Sequence, residues 1–312
     1  MSPASSPVWV LTDPRAGTAA QAIGIAARLG AGHRILPLEW GPLARWPLPV
    51  PTLAGVRPLE RGWIAPPWPK LSITAGRRSA PVARWLALRG VRTVHCMRAW
   101  PSSGIDLMVI GRHDNPPDAA NVLPILGAAH LLTPGRLREV RSYEPDLALL
   151  PSPRVALLVG GPVRAEGLDP RLAAELGARV AGFAGSVLAT TSRRTGVPAA
   201  EALAAALAPV PHRLHRWGQG GASNPLLEFM AWADALVVTG DSISMLSEAL
   251  VTSAPIFVAP LGGEGKRHLA FHETLYAAGQ ARPISAAPAP FARAPLDETA
   301  RIAAEIRARG LI

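Results

Sequence analysis

The chain has 312 residues, 49% of them apolar, and a formal net charge of +10 that comes almost wholly from arginine. That length gives room for about two domains of ~150 residues each, and no apolar run approaches the ~18 residues of a membrane span. The single cysteine, Cys96, excludes an internal disulfide and any cysteine-based metal cluster. No long basic block with interleaved aromatics supports nucleic-acid binding, so the charge points to anionic small ligands or anionic lipid surfaces.

Residues 1–7 carry neither a basic n-region nor an apolar h-region, and read as a disordered leader on a cytoplasmic protein. The apolar run 8–12 predicts a buried strand, 13–18 a turn, and 19–29 a helix stopped by Gly30. Residues 35–38 close a first strand–helix–strand unit. Residues 41–69 are rich in Pro and Trp without a period, and read as a long surface connection, with an ordered flap as the other reading. Strand, turn and helix resume at 71–75, 76–79 and 80–88, with further strands at 91–97, 106–110 and 121–126. Thr133 and Pro134 open a helix over 133–141. Three prolines within 143–153 mark a domain boundary.

The second half repeats the grammar. Strands are predicted at 154–159, 186–191, 212–217, 236–239 and 255–259. Helices are predicted at 170–181, 198–207, 225–233, from the 240–244 turn through 250, and at 266–278, followed by an Ala/Pro-rich stretch at 286–295 and an amphipathic helix over 296–309. Strands alternating with helices imply parallel sheets. The expected architecture is α/β, two Rossmann-like domains with parallel sheets facing a cleft: residues 1–150, residues 151–290, and a terminal helix within 291–312 packing back on the first domain.

Five strand-to-helix turns fall at 13–18, 76–79, 160–164, 192–195 and 240–244, on the sheet edge where open α/β folds take ligands. Arg77-Arg78 and Arg193-Arg194 offer planar forks suited to phosphate, or else cap sheet edges. Gly160 and Gly161 permit close approach of a diphosphate, although the spacing is not GxGxxG. Gly240, Asp241, Ser242 and Ser244 open the helix that carries Glu248. Asp241 is expected as a helix cap, with a base in the cleft as the other reading. Glu248 is either a ribose ligand or a carboxylate on a solvated face. His268 and His272 have metal-compatible spacing without a third ligand, so a surface or cleft-lining role is expected. Lys266 and Arg267 follow a Gly-rich segment that lets them close over an anion.

Taken in order, these segments resemble the mitochondrial-fission "elongated mitochondria" family over nearly the whole chain. The carrying residues are Val8-Trp9-Val10-Leu11-Thr12-Asp13 with Ala16-Gly17 and Gln21, and Ala75-Gly76-Arg77-Arg78-Ser79-Ala80-Pro81-Val82-Ala83. Gly160-Gly161-Pro162, Thr190-Thr191-Ser192-Arg193-Arg194-Thr195, Asn224-Pro225 and Ala233-Asp234-Ala235 through Ser247-Glu248 continue it. Lys266-Arg267-His268 and Phe271-His272 complete it. The sequence departs from the pattern at Asp13-Pro14-Arg15, where Pro14 removes an amide donor, and at Met97-Arg98-Ala99.

The resemblance implies a GT-B-like protein that binds a nucleotide or nucleotide-sugar in the interdomain cleft and acts as a metal-independent glycosyltransferase. It implies Gly160 and Gly161 on the phosphate and Glu248 on the ribose; with the residues of the neighbouring turns the expected phosphate set is Gly160, Gly161, Ser192, Arg193, Arg194, Gly240, Asp241, Ser242 and Ser244. Asp13 stands as the candidate base, with Gly17, Gly76, Arg77, Arg78 and Ser79 on the acceptor side and Lys266 and Arg267 closing the cleft. No metal or covalent cofactor is expected. Neither YxxxK nor GxGxxG is present to support a sugar-nucleotide epimerase. The alternative is a non-catalytic adaptor acting through protein or membrane-surface contacts. A third reading is a peripheral membrane enzyme with an apolar patch of Trp40, Trp46, Trp63 and Trp68.

Overall fold

The computed structural model of the chain describes residues 7–143, 145–162, 167–219 and 223–312. Most of the leader, and Val163 and Arg164 of the predicted 160–164 turn, lie outside the described residues. The chain divides into two compact units, residues 1–131 with 298–312, and residues 132–297.

In the first unit β1 (Val8–Thr12) leads into α1 (Ala16–Leu29) and β2 (His33–Pro37). The short α2 (Pro58–Arg61) precedes β3 (Leu71–Ala75), α3 (Ala80–Ala87), β4 (Arg92–Cys96), β5 (Leu107–Gly111) and β6 (Val122–Ile125). The strands form one parallel sheet in the order β2-β1-β3-β4-β5-β6. The second unit contains α4 (Pro134–Tyr143), β7 (Arg154–Val159), α5 (Pro170–Ala181), β8 (Ser186–Thr191), α6 (Val197–Leu207), β9 (His212–His215) and α7 (Leu226–Trp232). It continues with β10 (Ala235–Thr239), α8 (Ile243–Ala249), β11 (Ile256–Ala259), α9 (Lys266–Ala277) and β12 (Arg282–Pro283). Its parallel sheet runs β12-β11-β10-β7-β8-β9.

The central strands β1, β3, β5, β8 and β10 are buried along their whole length, and β7 along all but Arg154 at its start. Helices cover both faces of a parallel sheet, which is why these strands read as unbroken apolar runs rather than alternating ones. Each sheet has one point where the strand order reverses. In the first unit it lies between β1 and β3, and in the second between β7 and β10. A crevice opens at such a point beyond the carboxyl ends of the strands.

Three local features of the fold have physical causes. Residues 132–150 group with the second unit, because α4 packs on α7 and Arg141 donates to the Ala231 carbonyl (2.5 Å). Residues 41–69 are an ordered cover. Trp40 bridges Val56, a 3-10 turn runs over Pro42–Arg45, and Trp63 and Trp68 pack with Trp9, Leu86 and Val91. The last helix, α10 (Glu298–Ala308), belongs to the first unit and buries Ile302, Ala303 and Ile306 against Val8, Ile25 and Val94. Glu298 Oε1 accepts the Leu126 amide at 2.7 Å, and Thr299 Oγ1 accepts that of His130 at 3.0 Å. Among the described residues, no helix is long and apolar enough to cross a membrane.

Candidate functional site

The switch point of the second unit brings two turns side by side. β7 and β10 run in parallel register with Leu158 beside Val238, so Gly160-Gly161 and Gly240-Asp241 leave adjacent strand ends. The Gly160 amide donates to Thr239 Oγ1 and the Gly161 amide to Asp241 Oδ2, each at 2.8 Å. A Cβ on Gly160 would stand 2.5 Å from the Asp241 carboxylate, and one on Gly161 would overlap the Arg194 carbonyl. Both positions therefore need glycine because of this close approach.

The neighbouring 192–195 turn locks onto the same loop. The buried Thr195 hydroxyl lies 2.5 Å from the Gly160 carbonyl and 3.0 Å from that of Val159, and accepts the Ser192 amide at 2.9 Å. Ser192 Oγ accepts the Arg194 amide at 3.2 Å. Arg194 reaches Asp241 Oδ2 at 3.1 Å, whereas Arg193 is exposed and makes no ion pair among the described residues.

Asp241 does not cap α8. Ser242 does, its Oγ accepting the Met245 amide at 3.3 Å. With both Asp and Ser before the helix, the reach of the Asp241 carboxylate across to the Gly161 amide decides which caps. Ser242 is buried in that role, which takes its hydroxyl away from the phosphate set, while Ser244 is exposed on the first turn. The Gly240 carbonyl accepts His272 Nε2 at 2.8 Å, so His272 is committed to the backbone and the His268–His272 pair does not converge. Among the described residues, no group of three His, Cys, Asp or Glu side chains is placed to hold a metal.

Glu248 lies further along α8. Its carboxyl is partly buried and makes no hydrogen bond or ion pair among the described residues. Burial with no compensating donor disfavours the charge and pushes its pKa up to about 7.

A hollow of about 680 Å³ opens beside the Gly loop, lined by Arg194, Asp169, Asp241, Glu264 and His268 among others. Each of its three carboxylates accepts a backbone amide: Asp169 from Arg171 (2.8 Å), Glu264 from Leu261 (2.5 Å) and Asp241 from Gly161. Burial, and then the charge of Arg267, hold the His268 imidazole below its usual value. Lys266 and Arg267 are exposed at the start of α9.

The turns of the first unit also meet at its switch point. Gly76 has φ +87°, and a Cβ there would stand 3.0 Å from the Thr18 methyl. Gly17 lies inside α1 rather than in the turn. Ser79 is buried and donates back to the Ala75 and Gly76 carbonyls (2.7 and 2.9 Å), which removes it from any ligand-facing role. Asp13 accepts the Arg15 amide on one oxygen (2.9 Å) and the Trp40 indole on the other (2.7 Å), and so ties the turn to the 41–69 cover. Arg77 is exposed and Arg78 half-buried, and neither makes an ion pair among the described residues.

Residues 16–310 match the model of the mitochondrial fission ELM1 family. The chain belongs to that family. It is 32% identical over 146 residues to the mitochondrial fission protein ELM1 of Arabidopsis thaliana. That alignment covers 46% of the chain and about a third (34%) of the plant protein's length. Among solved structures the fold is similar to Acinetobacter baumannii MurG, with TM-score 0.54, 13% identity, and 97% and 91% of the two chains covered. It is similar to the glycosyltransferase SnogD of Streptomyces nogalater, with TM-score 0.50, 15% identity, and 91% and 87% covered. It is also similar to the UDP-GlcNAc 2-epimerase of Neisseria meningitidis bound to UDP-GlcNAc, with TM-score 0.51, 11% identity, and 97% and 99% covered. The GT-B glycosyltransferase-like fold expected from the sequence is thus the fold of the chain. Because an epimerase shares it, the fold alone does not choose between transfer and epimerisation.

Proposed function

We propose that the chain binds a nucleotide or nucleotide-sugar at the switch point of the second unit and transfers the sugar without a metal. The observation that carries this reading is Glu248, a partly buried carboxyl with a raised pKa and no partner on a helix that starts at the switch point. A ribose diol supplies two donors that such a carboxylate lacks, and perturbed, unpartnered carboxyls of this kind gather at functional sites. Arg193 and Arg194, with the Gly160-Gly161 loop, offer the diphosphate its positive charge and close backbone approach. Lys266 and Arg267 add positive charge from the start of α9. Catalysis would consist of positioning and of neutralising the departing diphosphate. Arg77 and Arg78 are the proposed acceptor-side residues of the first unit. Asp13 is the proposed base, although its two oxygens are held by Arg15 and Trp40. A neighbour of this fold bound to UDP-GlcNAc makes a uridine diphosphate sugar the first ligand to test.

A second reading is favoured by one observation. Asp241 fills the Gly161 amide from within the chain, so the loop is complete without a ligand. An adaptor that has kept the fold and acts through protein contacts would look like this. Thermal unfolding with UDP, GDP, ADP, CMP and their sugars separates the two, since a ligand of the native state raises stability by mass action. Stabilisation that disappears in Glu248→Ala supports the donor site. No shift at millimolar ligand with any nucleotide leaves the adaptor.

A further inference from the structure

The 41–69 cover of the first unit has a face that nucleotide chemistry does not use. Four large apolar side chains within residues 43–59 are exposed: Leu43, Trp46, Val50 and Leu59, with Trp46 at 71% and Leu59 at 70%. The tryptophans expected to join Trp46 do not, since Trp40, Trp63 and Trp68 pack inward. Between residues 41 and 70 the charged side chains are Arg45, Arg57, Glu60, Arg61 and Lys70, and the one carboxylate, Glu60, is buried. The exposed charge of this segment is therefore positive, with Glu39, exposed beside Arg57, the one carboxylate at its edge. Leu43, Arg45, Arg57 and Arg61 line a single hollow of about 630 Å³. Arg61 is fixed there by donating to the Val56 and Ala54 carbonyls, both at 2.7 Å.

We propose that this face docks the chain on an anionic phospholipid bilayer, with Leu43, Trp46 and Leu59 entering the interface and Arg45, Arg57 and Arg61 on the head-group phosphates. The charge complementarity rests on Arg45, Arg57 and Arg61, all exposed, against one exposed carboxylate, Glu39, beside Arg57; this net positive, partly apolar surface matches a negatively charged leaflet. An exposed indole beside prolines and arginines suits the head-group boundary, where Trp is amphipathic enough to rest and Arg can reach outward to phosphate. Shallow contact of this kind needs no spanning helix.

The test is flotation of the full-length chain with phosphatidylcholine vesicles containing or lacking phosphatidylglycerol. Binding is expected only to the anionic vesicles and is expected to weaken as salt screens it. Arg45→Gln with Arg57→Gln lowers the apparent affinity by about thirtyfold, from two basic residues at a charged surface. Leu43→Ser with Trp46→Ser weakens it comparably, while Leu149→Ser, an equally exposed apolar residue of the second unit, changes nothing. All of these positions are on the surface, so the variants fold, and unchanged thermal midpoints confirm it. Failure to bind anionic vesicles, equal binding to neutral ones, or binding unaffected by either double variant overturns the proposal. Retention of the chain by a soluble acidic protein with no vesicle binding overturns it in favour of a protein partner. None of these outcomes bears on nucleotide binding by the second unit.

Discussion

The Asp241 carboxylate stands 2.8 Å from the Gly161 amide nitrogen, in the place where a phosphate oxygen would sit on a Gly loop. The same oxygen takes Arg194 at 3.1 Å. The second unit thus carries its own anion at the mouth of its switch point, and any phosphate that enters meets a competitor of like charge.

Removing that competitor should strengthen anion binding while it weakens the loop. Asp241→Asn is expected to raise affinity for UDP by about tenfold, since it frees Arg194 and removes a like charge. It should lower stability by ~1–2 kcal/mol, because a charged acceptor becomes a neutral one. Calorimetric titration and denaturant unfolding measure the two effects, and a variant that binds UDP more weakly would make Asp241 a direct ligand contact.

Glu248 gives the pH dependence a sign. Its folded pKa of about 7 lies above the ordinary 4.5, so folding favours the protonated form. Stability should fall as pH rises from about 4.5 to about 7 and then level off, with on the order of 2 kcal/mol lost after allowance for partial exposure. Glu248→Gln removes this slope, which thermal midpoints at pH 5 and pH 8 will show. Nucleotide affinity should move the other way and tighten as the carboxylate forms, and the Gln variant should lack that rise.

Thr195 joins the Gly160-Gly161 loop to the 192–195 turn through one buried hydroxyl. Thr195→Val keeps the shape and removes the donor to the Gly160 carbonyl, while the Ser192 amide keeps the Val159 carbonyl at 3.0 Å, at a cost of about 1–3 kcal/mol. Thr195→Ser retains the hydroxyl and should lose under about 1.5 kcal/mol, the scale of a single buried methyl group. Equal losses in urea denaturation would show that the methyl, rather than the hydroxyl, holds the loop.

Glu298 links α10 to the first unit, with one oxygen on the Leu126 amide and the other 2.5 Å from Arg301. Glu298→Ala strands a buried amide and should destabilise the first unit by about 2–3 kcal/mol. Amide exchange should report the loss in β1 and β6, while the strands of the second unit keep their protection.

The strands and helices were legible because parallel sheets write themselves as apolar runs separated by helical periods. Gly160, Gly161 and Gly240 stood out because glycine at a strand end marks close approach. Thr195 and Thr239 were not legible as site-builders: Thr239 ends an apolar run and Thr195 closes a polar turn, and the partner of each lies 35 or 79 residues away. Asp241 and Ser242 are both good caps, so only the long-range pull of Gly161 separates them. The 41–69 segment has no period to read, because proline and tryptophan pack it through irregular contacts. Ser79 resembled a ligand residue only because a hydroxyl turned back on its own carbonyls has the same letter as one turned outward.

The return of the chain to its first unit through α10 sets an order on biosynthesis. Residues 132–297 are one uninterrupted stretch, and all of them are synthesised before residues 298–312. The wall that Ile302 and Ile306 supply to the first unit arrives last. The earlier-made unit is therefore the last to be complete in sequence, and its apolar seam beside α1 stays unfilled until α10 has been added.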